Sequence, residues 1–448
     1  MSTPASISAA AADLARAINA TQVRVPGDAP LIWNAAAQHR PALIVRPESS
    51  LDVQVAIRVA RDRGMRLSVL GGGHDWLGRA VCDGGLVIDM SGMRSVTVDT
   101  EARVATVGGG VTATDLTDAV TPYGLVAATG NCGGVGMTGL TLGGGYGPLN
   151  GRFGLASDNL VGAEVVLADG RTVAADATHE PELFWALRGG GGNFGVVTSM
   201  RVRLHPLDRL IGGMIMYPLS QAATVWRGLG ELLSTAPDAV TVQSGLMSGP
   251  DGNPAVYLQP AWSGDLYCGL AAADLLATLG TPLTTQVAPV AYGEVLSLFD
   301  AGCVRGLCWA VRTRTVAGYT PGVIDALVEA GRTLTSPRSL ISIHHCHGAS
   351  TRVAPDQTAF ANRRAHFVVE IVACWEAGDG AIHRAWADAL SEALAPHALP
   401  GGYANLLGPD DHDQIANAYG NNGTRLIAAK KHYDPDAVFT AIPLPSDT

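Results

Sequence analysis

Residues 130–154 read GNCGGVGMTGLTLGGGYGPLNGRFG. So many glycines rule out a sustained helix, and they leave main-chain N–H groups with no Cβ in front of them. Backbone exposed in this way suits a pyrophosphate, and it lets a flat ring lie against the chain. Two shorter stretches repeat the pattern, residues 71–73 ahead of His74 and residues 189–195. Of the 55 glycines, 29 lie between Gly71 and Gly195, little more than a quarter of the 448 residues. The inference is a nucleotide cofactor cradled by several loops rather than by one helix.

One G-x-G-x-x-G falls inside the stretch, from Gly134 to Gly139. In a dinucleotide fold that motif opens a helix on the pyrophosphate, with an acidic residue about 20 positions on. Asp158 stands near that position, but the glycine-rich continuation is not expected to carry a helix, so a Rossmann unit is set aside. The chain holds no Walker A sequence, no G-x-S-x-G and no H-E-x-x-H, which removes the best support for P-loop, nucleophile-elbow and zincin chemistry.

Around the glycine loops, residues 42–205 alternate helix and strand signals. Ser49-Ser50 caps a helix whose apolar face is Val53, Ala56, Ile57 and Ala60, with Gly64 at its end. A strand over 65–70 then runs into Gly71-Gly72-Gly73-His74. Residues 95–99 and 103–107 form one predicted hairpin. Residues 163–168 and 171–175 form another, across a type I′ turn at Asp169-Gly170. Pro181 opens a helix to Leu187, and a strand follows over 194–204. Beyond His205-Pro206 glycine thins out, and the pattern shifts to longer strands (255–258, 340–347, 367–374) and amphipathic helices, ending in a helix over 413–431.

Thirty Lys and Arg against 40 Asp and Glu give a net charge of −10, with no basic run, which argues against nucleic acid or an anionic membrane as partner. Hydrophobic residues make up 47% and charged residues 16%, enough for a large core. No apolar stretch approaches the ~18–20 residues that span a bilayer. The N-terminal 20 residues carry Asp13 and no basic start, and read as a surface helix rather than a leader. Seven scattered cysteines (Cys82, Cys132, Cys268, Cys303, Cys308, Cys346, Cys374) without a C-x-x-C pair read as core residues of a reduced, cytoplasmic protein.

Two reactive side chains sit within the glycine loops, His74 in GGGHD and Cys132 in GNCGG. Each is also readable as a turn histidine and a small buried thiol. In His344-His345-Cys346-His347, strand alternation puts His345 and His347 on one face and His344 and Cys346 on the other. All four cannot converge on one ion, and no metal is expected.

Taken together these residues resemble a family, the FAD-linked oxidases of the berberine-bridge and 6-hydroxynicotine oxidase type. The resemblance runs through RPALIVRPESSLDVQVAIRVARDRGMRLSVLGGGHDWLG, GLVIDMSGM, CGGVGMTGLTLGGGYGPLNGRFGLASDNLVGAEVVLADG, ELFWALRGGGGNFGVVT and YGNNGTRLIAAKKHYDP, in order along nearly the whole chain. It implies an α+β fold: a two-part FAD-binding domain of PCMH type over 1–206 (core about 36–206), and a substrate domain over 207–402 with an antiparallel sheet backed by helices. A C-terminal segment, 403–448, returns to the FAD domain.

The resemblance also implies bicovalent FAD, with His74 on the flavin 8α-methyl group and Cys132 on C6. The flavin bed would be Gly71, Gly72, Gly73, Gly130, Val135, Gly136, Gly139, Gly143, Gly144, Gly145, Gly147, Asn150, Gly195, Val197, Tyr419 and Asn422. Two tethers raise the flavin potential and favour taking electrons from substrate. Valine at 135, where relatives vary between valine and leucine, goes with oxygen reactivity and hydrogen peroxide as product.

The chain departs from the family at Tyr403-Ala404-Asn405-Leu406, where many relatives carry Y-x-N-Y and use the second tyrosine as base. Glu370, five residues before Trp375, is the candidate replacement, with His345 or His347. A substrate that needs no strong base fits this departure. The expectation is a reduced quinone antibiotic, a hydroquinone or semiquinone of the mitomycin kind, reoxidised with O2 as acceptor in a self-resistance role. A biosynthetic alcohol or amine oxidase, an oxidative cyclase, and a drug-sequestering protein with an idle flavin are the alternatives. A monomer or homodimer is expected.

Overall fold

Three sheets and a two-stranded ribbon organise the described residues. The computed structural model describes residues 4–27, 32–299 and 304–445. The first sheet orders Val23–Arg24, Leu43–Val45, Leu86–Asp89 and Leu67–Leu70, the last three parallel. Parallel strands need cover on both faces, and these have it. Leu43, Val45, Leu86 and Ile88 pack under the helices Pro4–Ala17 and Ser50–Asp62, while Ile44, Leu70 and Val87 pack with Ile32 and Val81. Helix Ser50–Asp62 opens on a capping box between Ser49 and Asp52 and buries the predicted Val53, Ala56, Ile57 and Ala60. Gly64 follows at φ +60°, where a Cβ is disfavoured.

The second sheet is antiparallel, in the order Val96–Asp99, Val104–Gly108, Val196–Arg203, Leu160–Val166, Thr172–Ala175. Both predicted hairpins form. The second turn differs from its prediction. Gly170 N–H donates to Leu167 O at 2.9 Å, and only Gly170 takes positive φ (+86°). That is a type I turn closed by a left-handed glycine, the three-residue loop, rather than type I′.

The third sheet has seven antiparallel strands, in the order Thr284–Val290, Leu210–Pro218, Pro254–Trp262, Val240–Ser248, Leu340–Cys346, His366–Trp375, Cys308–Val316. Helices Ala222–Leu233, Leu266–Ala277, Pro321–Arg332 and Ala381–Leu394 bury their apolar faces against its outer side, in one core that includes Trp226, Val242, Ile341, Val369 and Trp386. This is the antiparallel sheet backed by helices that the family resemblance implied.

Two expectations about helices fail. Met137–Leu142 is a six-residue helix, although glycine richness argued against one. It starts at Gly136 and stops at Gly143, so the glycines bound it rather than interrupt it, apart from Gly139. The helix expected over 413–431 is two, His412–Asn417 and Gly423–Tyr433, broken where Gly420 takes φ +48°. Gly423–Tyr433 lies on Pro181–Ala186, with Arg425 paired to Glu182 at 2.7 Å, and the tail beyond it is held where Asn193 Nδ2 donates to Ile442 O at 3.0 Å. Not every cysteine is core: Cys82, Cys346 and Cys374 are buried and Cys132 and Cys308 half-buried, but Cys268 is exposed. Cys303 lies outside the described residues. Among the described residues no helix is long and apolar enough to cross a membrane.

Candidate functional site

Alternation gives the seven-stranded sheet two unlike faces. Ile341, Ile343, Phe367, Val369 and Ile371 face the helices. Their neighbours on the other face are Ser342, His344, Glu370, Thr241, Gln243 and Gln259, and Thr313 stands opposite Glu370. These side chains are polar yet, apart from half-buried Glu370, buried. Burying polar groups on an inner face is unfavourable unless each finds a partner, so the arrangement marks a site rather than a core.

Glu370 stands at its centre. Tyr146, from the glycine-rich stretch 130–154, donates its hydroxyl to Glu370 Oε1, and His344 Nε2 lies 3.3 Å from the same oxygen. Ser342 Oγ lies 3.1 Å from His344 Nε2. Asn131, the residue before Cys132, meets His344 Nδ1 at 3.2 Å. Tyr146 is further held between rings, with centroids 4.8 Å from both His344 and Tyr403. Tyr403 OH in turn accepts from Gly145 N–H at 3.2 Å and Asn405 Nδ2 at 3.0 Å.

The electrostatics follow from this packing. Burial pushes the Glu370 carboxyl up, but the charge interaction with His344 and the hydrogen bonds from His344 and Tyr146 together outweigh it and hold the group below its ordinary value. Burial, then the Glu370 charge, drives the Tyr146 phenol well above its own. At neutral pH the pair is therefore a carboxylate accepting from a phenol.

The two glycine loops meet backbone to backbone. A Cβ on Gly72 would lie 2.3 Å from Gly136 N, and one on Gly136 would lie 2.5 Å from Gly72 N. This crossing brings His74 to Gly134, whose Cβ would sit 2.9 Å from His74 Nε2. His74 also stacks on Trp33 at 5.7 Å. Burial, aided by Arg305, lowers the His74 pKa to about 4, so its imidazole is neutral with a lone pair available. Cys132, two residues before Gly134, is half-buried.

The remaining expected residues divide. A Cβ on Gly71 or Gly139 would meet nothing within 4 Å, so these two border open space. Others are glycine because protein lies against them: Gly147 under Thr129 O, Gly143 under the Asn405 amide, Gly144 under the Phe360 ring, Gly145 under Ala156 and Gly195 under Val165. Gly130 lies against Leu140, and the Val197 carbonyl stands where a Cβ on Gly109 would come within 2.5 Å of it. Gly73 takes φ +73° ahead of His74. Val135 is half-buried and its carbonyl accepts from Ala113 N–H. Asn150 donates to His345 O, Tyr419 to Pro443 O, and Asn422 to Pro355 O and Thr358 O. His345 and His347 do not join Glu370. Their rings stack on each other at 3.9 Å, and His345 stacks on Phe367 on the helix-facing side. Asp158 is engaged by Arg363 in a buried bidentate pair at 2.8 and 2.9 Å.

Sequence reasoning missed Tyr146, His344, Gln243 and Gln259. The available signals were a lone phenol inside a glycine run, and amides at alternate positions of otherwise apolar strands.

Known proteins resemble this chain at the level of family and fold. The family described as FAD binding domain matches residues 41–176, and the family described as berberine and berberine like matches residues 402–442. The FAD-linked oxidoreductase aurO of Gibberella zeae is 31% identical over 91% of this chain and 81% of its own length. The chain belongs to the berberine-bridge and 6-hydroxynicotine oxidase family of FAD-linked oxidoreductases. Another family member, (R)-6-hydroxynicotine oxidase of Paenarthrobacter nicotinovorans, is 38% identical over 60% of this chain and 59% of its own length. The crystal structure of 6-hydroxy-D-nicotine oxidase from Arthrobacter nicotinovorans superposes with a TM-score of 0.84 at 29% identity, covering 95% of this chain and 97% of that one. The residues present fit the family's FAD: Gly71 and Gly139 border open space beside a neutral His74 and the Cys132 thiol.

Proposed function

We propose that this family member is a bicovalently flavinylated oxidase that removes two electrons from a small reduced natural product, a hydroquinone of the mitomycin kind, with O2 as final acceptor. His74 and Cys132 would hold the flavin by 8α-histidyl and 6-S-cysteinyl bonds, and when bound it supplies a two-electron acceptor that O2 reoxidises. The balance is hydroquinone plus O2 giving quinone plus hydrogen peroxide. Glu370 carries the reading: an ionised carboxylate on the inner sheet face, in one network with Asn131 next to Cys132, is placed to take a substrate hydroxyl proton. Tyr146 keeps that carboxylate oriented, and His344 steadies its charge.

Glu370 also answers the departure at Leu406, because the base comes from the sheet rather than from the Y-x-N-Y segment. That observation favours a second reading, oxidation of a natural-product alcohol or amine, which does need a base. One experiment separates them. The denatured protein should carry the mass of one FAD, and the double variant His74→Ala, Cys132→Ala should lose it; an unchanged adduct sinks the bicovalent claim. Anaerobic mixing with reduced quinone should bleach the flavin absorbance, and air should restore it with one peroxide per cycle. Bleaching by alcohols or amines alone selects the biosynthetic oxidase; tight binding without bleaching selects sequestration.

A further inference from the structure

Beside the Glu370 network lies a cavity whose walls include Asn131, Asn150, Gln243, Gln259 and His344. Gln243 and Gln259 stand directly opposite each other on paired strands, and both are buried, as is Asn150. Each amide nitrogen already donates within the protein. Gln259 Nε2 donates to Val295 O at 3.4 Å and Asn150 Nδ2 to His345 O at 3.1 Å. A main-chain carbonyl only accepts, so both amide oxygens are turned the other way. Gln243 Nε2 donates to Ser342 Oγ at 2.7 Å and Tyr257 OH at 3.3 Å, and its oxygen points away from these two hydroxyls. Gln243 Oε1, Gln259 Oε1 and Asn150 Oδ1 are all buried without a hydrogen-bond partner. Three acceptors thus border one cavity, with no Lys or Arg in its lining, and His344 on its wall leads to the Glu370 carboxylate 3.3 Å away.

We infer that this amide-lined cavity is a specificity subsite for a primary amino group on the substrate. An ammonium offers three donors and a positive charge to three unmet oxygens beside a carboxylate. A hydroxyl offers one donor, an ether none, and a carboxylate would set its charge against the three unmet oxygens and the nearby Glu370 carboxylate. The inference rests on the oxidase reading for the choice of substrate scaffold, but the recognition itself is a separate claim about Gln243, Gln259 and Asn150.

The test uses the purified holoprotein and three ligands of matched size: benzylamine, benzyl methyl ether and phenylacetate. Flavin absorbance difference spectra report binding, and the corresponding aminomethyl-, methoxymethyl- and carboxymethyl-hydroquinones report anaerobic bleaching. The amine should bind at least about tenfold more tightly than the ether, with the carboxylate weakest, because a site built for a donor leaves its acceptors unmet by other groups. Gln259→Met keeps the side-chain length and removes the acceptor, and should bring amine and ether to within about threefold; Gln243→Glu should widen the gap. Equal binding of all three ligands to the unmodified protein overturns the subsite and leaves the cavity to a structural water only. Selective binding of the amine without bleaching by any hydroquinone supports the subsite while rejecting the hydroquinone-oxidase reading. Should a variant fail to fold, the ligand series on the unmodified protein still decides.

Discussion

Glu370 was legible in the sequence as a carboxylate on a strand, but its environment was not. Its two partners come from residues 224 positions earlier and from a neighbouring strand, and both act on the same oxygen. Glu370→Gln should keep the flavin and reduce the bleaching rate by about 10²–10⁴, the usual range for a positioned base; stopped-flow absorbance with FAD content as control checks it. The lowered pKa of Glu370 sets the pH profile. Its ionised form persists as pH falls to below the ordinary glutamate value of 4.5, so the acid limb of kcat/KM lies under that value. Tyr146→Phe removes a hydrogen bond to the carboxylate, which raises its pKa, so the acid limb should move upward in that variant. A limb that stays in place would mean that Tyr146 does not orient the base.

At the scale of elements, the local signals carried far. Helix Ser50–Asp62 was readable down to its buried face, because cap, period and terminal glycine all lie within its own sequence. The short helix Met137–Leu142 was not, since it begins at Gly136, where the chain meets Gly72 from a segment remote in sequence. That crossing leaves no room for a methyl group. Gly72→Ala should cost about 1–3 kcal/mol or more and lower FAD content, whereas Gly71→Ala, facing open space, should keep the Tm of the flavin-free protein within experimental scatter; thermal unfolding of both variants compares them. The Asp158–Arg363 pair ties the loop after the glycine stretch to residues 358–363, and both side chains are at most 9% exposed. Removing one partner strands a buried charge, so Asp158→Ala should destabilise by about 3–5 kcal/mol, read by denaturant unfolding.

Across the whole molecule, the seven-stranded sheet buries histidines that titrate far below their ordinary value, His366 on the polar face and His345 on the helix-facing one. Burial lowers His345 to about 2 and His366 to about 4, against 6.5 unfolded. The unfolded chain then binds more protons between pH 6.5 and the folded values, so stability is lost as pH falls. At pH 5 each group contributes a loss of about 2 kcal/mol. Tm should drop steeply from pH 7 to pH 5, and His366→Phe should flatten that slope; Glu370, with its depressed acid pKa, adds further loss only at lower pH. The sequence by itself determined the two hairpins, the helix Ser50–Asp62 with its buried face, three of the seven strands of the large sheet, the two loops bearing His74 and Cys132, and the family, because periodicity, caps and motif order are local or linear properties. Tertiary structure alone decided which glycines face open space and which face another chain segment, since a missing Cβ looks the same in both cases. It also decided that His344 and Tyr146, rather than His345 and His347, meet Glu370, because strand alternation sorts faces but only packing says what covers each one.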